Sequence, residues 1–71
     1  MKKIFSINVP GRHGYSFAVK CDTSYDEDSV IELAAESGLF SDDEDADYAI
    51  AEDITESDYD IEHFKSCTYE L

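Results

Sequence analysis

Between Cys21 and Phe64 the chain has no lysine or arginine, although its 71 residues hold 18 acidic side chains against five basic ones. Those five, Lys2, Lys3, Arg12, Lys20 and Lys65, all lie outside that stretch, and the net charge is −13. This absence excludes direct binding to DNA or RNA, which needs a basic stripe. It also excludes neutralisation of the acids from within the stretch. They are expected to face water or a cationic partner, whose approach such a field accelerates even as self-repulsion lowers the stability of the compact state.

Other shortages narrow the reading further. No apolar run is long enough to cross a membrane. After Met1-Lys2-Lys3, residues 4–9 lack the uninterrupted apolar core and small-residue cleavage site of a signal peptide, so a cytoplasmic location is expected. Cysteine occurs only at Cys21 and Cys67. Their wide separation reads as two buried thiols in a reducing compartment, with a disulfide between neighbouring strands as the alternative. The first 20 residues contain no Asp or Glu, so the acidity is local, whereas adaptation to high salt would spread it over the whole surface.

Length allows a single domain, residues 1–71, that hides only about 60% of its unfolded surface. One thin core follows, with little room for an elaborate active site. At 42% hydrophobic the chain is nevertheless too apolar for the composition of disordered segments.

The elements of an α+β fold are visible. Phe5, Ile7 and Val9 alternate with Ser6 and Asn8, and Tyr15, Phe17, Val19 and Cys21 with Ser16, Ala18 and Lys20. These are two half-buried strands, joined through Pro10-Gly11-Arg12-His13-Gly14 into an antiparallel hairpin. Ser24 and Glu27 fit a capping box, which predicts a helix carrying Val30, Leu33, Ala34 and Ser37 on one face and ending at Gly38. Leu39 and Phe40 should fold back on the core. Residues 42–54 read both ways, since Ala46, Ala49, Ile50 and Ile54 share a helical face while Tyr48, Ile50, Glu52 and Ile54 alternate as in a strand. Thr55 to Asp58 suits the cap of one more turn, and Cys67, Tyr69 and Leu71 close the chain as a strand pairing with the hairpin. The expected architecture is a small antiparallel sheet packed against one or two acidic helices. Its edge strands can pair between copies, so a homodimer stands beside the monomer.

Three chemistries suit so many carboxylates. Asp43, Asp45 and Asp47 have the first three spacings of a calcium loop, but the glycine and the bidentate glutamate that should follow are Tyr48 and Ile54. Paired-carboxylate hydrolysis needs a pocket that splits two pKa values, which a thin core hardly provides. His13 and His63 have no nucleophile at a recognisable spacing and read as surface residues. No catalytic residue, metal site or cofactor is therefore assigned. Binding is the third, and here the spacing is suggestive. Duplex DNA presents a charge about every 1.7 Å of its axis, and helical acids at i, i+3 and i+4 lie about 5–6 Å apart. Glu32 and Glu36, then Asp42, Asp45, Glu52 and Asp53, can set out rows of carboxylates resembling rows of phosphates.

In size, charge and element order, from the hairpin through the acidic segment 26–60 to the last strand, the chain resembles small phage-encoded inhibitors that mimic DNA, anti-CRISPR and anti-restriction proteins among them. The resemblance implies a non-enzymatic inhibitor, acting in the bacterial host cytoplasm, that occupies the DNA-binding or PAM-reading surface of a defence complex. It implies that Glu32, Glu36, Asp42, Asp43, Glu44, Asp45, Asp47, Glu52, Asp53, Glu56, Asp58 and Asp60 pair with arginines and lysines of that complex. Tyr48 and Tyr59 are expected either as central anchors of the contact or in core packing, and Phe40 in core packing. An acidic immunity protein or antitoxin against a basic nuclease needs the same surface, and a calcium-binding module is the alternative of another class.

Overall fold

The computed structural model describes residues 2–12, 14–42 and 44–71. The two alternating segments form strands β1 (Lys2–Val9) and β2 (Tyr15–Asp22), paired antiparallel from Lys2↔Asp22 to Val9↔Tyr15. Their turn requires glycine at Gly14, where a Cβ would come within 2.5 Å of the Val9 carbonyl oxygen. His13 lies outside the described residues.

Helix α1 (Glu27–Glu36) starts at a different cap from the one the sequence suggests. Tyr25 donates its N–H to the Asp22 carbonyl at 3.2 Å, and Ser24 donates its own to the Asp22 carboxylate at 2.9 Å. That turn uses up the backbone around Ser24, so the cap passes to Asp26. Its carboxylate accepts from the Ser29 N–H at 2.8 Å while Ser29 Oγ accepts from the Asp26 N–H at 2.8 Å. The helix closes on Gly38 (φ +74°). There Gly38 and Leu39 donate to the carbonyls of Ala35 and Ala34, which satisfies the last turn.

These bonds hold the Asp26 carboxyl below its ordinary pKa, the Ser29 N–H first and its hydroxyl second. A lowered folded value means that the stabilisation is complete above the unfolded value of about 4 and is lost as pH falls through the lower one. Asp26→Ala should therefore reduce the melting temperature by about 5 °C at neutral pH. Thermal melts of the two proteins should converge as the pH falls through the lowered folded value of Asp26.

The ambiguous segment contains both structures. A single helical turn, α2 (Asp45–Tyr48), runs into strand β3 (Ile50–Asp53), which pairs antiparallel with β1 from Phe5↔Asp53 to Asn8↔Ile50. Helix α3 (Asp58–His63), capped by Ser57 and not by Thr55, and a 3₁₀ turn (Lys65–Cys67) lead to β4 (Thr68–Glu70). The sheet has four strands in the order β3-β1-β2-β4. It is mixed, because β4 runs parallel to β2 where an antiparallel sheet was expected. β3 has already taken the free edge of β1, so the last strand must reach the far edge through the crossover that α3 provides.

Phe5, Ile7, Phe17, Val19 and Cys21 line one sheet face and enclose the core with Val30 and Ala34 of α1, while Leu39 and Phe40 pack against it. The β2-to-β3 and β3-to-β4 connections each join parallel strands and run in opposite directions across the sheet. Ala18, which points to the other side of β2 from Phe17 and Val19, is fully buried as well. Helix α1 packs on one face of the sheet, against β1, β2 and β3.

Cys21 is buried, but Cys67 is exposed and both thiols are free, which corrects the expectation of two buried thiols. Cys67 directly precedes an edge strand whose three residues are all exposed. Thr68, the residue next to Cys67, stands opposite Ala18, three residues or about 10 Å along β2 from Cys21. A disulfide cannot bridge that distance. Burial, and secondarily the charge of Asp22, pushes the Cys21 thiol up from its ordinary pKa. Among the described residues no helix is long and apolar enough to cross a membrane.

Candidate acidic interface

Four elements carry the exposed acids. On α1, Glu32 and Glu36 are exposed, and Asp28, one turn before Glu32, extends them into a row with steps of about 5–6 Å. Asp42, Glu44 and Asp47 are exposed around α2, as are Glu52 and Asp53 on β3 and Glu56 and Asp58 ahead of and at the start of α3. Asp45 and Asp60 are half-buried. Asp43 lies outside the described residues.

Not all of these carboxylates are free for a partner. Asp42 accepts from the Glu44 N–H at 3.0 Å. Asp45 accepts from the Tyr15 hydroxyl at 2.7 Å, and that hydroxyl accepts from the Ser41 N–H at 2.8 Å. This pair of bonds ties the segment leading into α2 to the hairpin. Asp53 accepts from the Thr55 hydroxyl at 2.5 Å and N–H at 2.9 Å, and these two bonds hold its carboxyl below the usual range. Thr55 Oγ1 in turn accepts from the Ile4 N–H at 3.0 Å. Asp60 accepts from the Ser57 hydroxyl at 2.8 Å at the start of α3. These four acids shape the backbone that displays the others.

Glu32, Glu36, Glu44, Asp47, Glu52, Glu56 and Asp58 make no side-chain hydrogen bond or ion pair among the described residues. The one ion pair there joins Lys2 to Glu70 at 3.5 Å, outside the acidic stretch. Lys3 donates to the Tyr25 carbonyl at 3.3 Å and lies over the Phe5 ring. It also lines a shallow cleft with Asp53, Thr55 and Glu56. Most of the field is therefore uncompensated.

The aromatic residues separate cleanly. Phe40 meets Phe17 edge to face at 5.7 Å and belongs to the core. Tyr48 and Tyr59 are 64% and 81% exposed, which leaves them available as anchors. Asp28, Glu62 and His63 also belong to this surface although the sequence reading did not select them. The i, i+4 spacing of Asp28 to Glu32 and of Asp58 to Glu62 was the signal available.

Among the described residues no group of three or more His, Cys, Asp or Glu side chains is disposed to hold a metal ion. Of the calcium-like trio, Asp45 spends its carboxylate on Tyr15. Compared with protein-family models, with curated proteins and with solved structures, the chain finds no match in any of the three.

Proposed function

We propose that this protein is a non-enzymatic inhibitor that presents the charge of DNA to the nucleic-acid-binding surface of a bacterial defence complex, of the anti-CRISPR or anti-restriction type. One observation carries the reading, the density of exposed charge. The molecule is 30 Å along its longest axis. Duplex DNA of that length carries roughly 18 phosphate charges, and this chain carries 18 acids and a net charge of −13. An arginine- and lysine-lined groove built for a duplex meets a comparable charge here. The carboxylates without partners on α1, α2 and β3 bind it, while Tyr48 and Tyr59 supply contact area.

The protein, immobilised, should retain a basic nucleic-acid-binding complex from lysates of bacteria that carry CRISPR and restriction systems. Duplex DNA should compete for that retention, and high salt should abolish it. A complex that DNA does not displace, or no specific retention from any lysate, overturns the proposal. Retention of a single basic nuclease would assign the chain to immunity proteins instead.

A further inference from the structure

Helix α3 presents two parallel ridges to solvent. Asp58 and Glu62 stand one turn apart, as do Tyr59 and His63, and all four are exposed, whereas Ile61 and Phe64 are half-buried and turn inward. Tyr59 is 81% exposed, yet its ring lies parallel to that of His63, centroids 6.4 Å apart and planes at 10°. His63 meets Phe64 at 5.0 Å and 89°, and this seats the aromatic ridge on the body of the protein. An aromatic shelf beside a row of carboxylates, on a helix with no lysine or arginine, is complementary in charge and shape to a flat cation.

Resting on the basic protein partner inferred above, we propose that this face of α3 reads arginine. A guanidinium of the partner stacks on the open face of the Tyr59 ring, which His63 backs from its other side, and donates its N–H groups to the Asp58 or Glu62 carboxylate. Arginine suits the site better than lysine, because a guanidinium is planar, weakly hydrated, stacks on aromatic rings and donates in a fork. A lysine ammonium matches the charge alone.

The test titrates the full chain with capped hexa-arginine and hexa-lysine peptides, read by NMR. Hexa-arginine should bind about two- to fivefold more tightly and shift the ring resonances of Tyr59 and His63. Tyr59→Ala should abolish the preference by bringing hexa-arginine binding down to the level of hexa-lysine, with the melting temperature unchanged, and Tyr59→Phe should keep the preference. Equal affinity of the two peptides for the native chain, or a preference that survives Tyr59→Ala, overturns the proposal. Failure here is separable from failure of the inhibitor reading. A chain that prefers hexa-arginine but captures no nucleic-acid-binding complex keeps the arginine surface and loses the inhibitor role. A chain that captures the complex but does not distinguish the peptides does the reverse.

Discussion

Neutralising Glu32, Glu36, Asp47 and Glu52 together, as Gln, Gln, Asn and Gln, should weaken partner binding by about fivefold or more and leave the fold intact. The four side chains are exposed on α1, α2 and β3, and none holds a backbone group or a cation among the described residues. Their removal changes the net charge from −13 to −9, since four negative charges are lost. An exposed ion pair contributes about 0.2–1 kcal/mol, so four lost pairs amount to about 1–4 kcal/mol, and each 1.4 kcal/mol is tenfold in affinity. Glu70→Gln is the contrast. Its carboxylate already pairs with Lys2, and affinity should stay within about twofold. Calorimetry against the captured complex reads both, and equal losses from the two variants would show that the location of the charge does not matter.

That set avoids Asp42, Asp45, Asp53 and Asp60, and the reason shows how far the site was legible. Composition and the gap in basic residues identified the acidic field. They did not separate carboxylates that display charge from those that hold the chain. Three of the four carry a local signal: Asp42 and Asp53 each accept from the N–H two residues on, a common habit of aspartate in turns, and Asp60 stands three residues after the cap Ser57, the spacing of a capping box. Asp45 carries none, since its partner Tyr15 is thirty residues away and meets it only once the fold exists. Reversing charge at Asp45 or Asp53 would mix loss of binding with damage to the hairpin contacts.

The fold divides along the same line. Strict alternation and a glycine turn made the hairpin readable, because pairing across a short loop is local. The stripe on α1 was equally plain, but its first residue was not, since Asp22, Ser24 and Asp26 all favour caps and turns. Residues 42–54 offered a helical and a strand pattern at once, and the structure uses both. What fixes β3 is pairing of Glu52 with Ser6 and Ala51 with Ile7, contacts across the whole chain that no window contains. The parallel pairing of β4 rests on contacts such as Thr68 with Ala18, which are equally outside any window. Exposure of Tyr59 depended on where α3 begins, and Ser57 rather than Thr55 sets that.

Phe5→Ala should leave most of the protein unfolded at 25 °C and low salt. Phe5 is fully buried on a central strand, opposite Val19 on β2 and Asp53 on β3, and within the cluster that receives Val30 and Ala34. Truncating a phenylalanine so placed costs about 3–5 kcal/mol. At about 0.05–0.15 kcal/mol per residue, a chain of this length has only about 4–11 kcal/mol of stability. Repulsion among uncompensated acids places it in the lower part of that range. The same repulsion supplies a second readout, because screening shortens from about 30 Å at 0.01 M salt to about 3 Å at 1 M. Added sodium chloride should therefore restore part of the circular dichroism of the Phe5→Ala variant and raise the melting temperature of the native chain. Tyr59→Ala, which removes an exposed ring, should melt with the native protein at every salt concentration. A Phe5→Ala variant that melts within a few degrees of native would mean that the core does not rest on this residue. A native chain indifferent to salt would mean that its carboxylates do not repel one another enough to drive it toward a cationic partner.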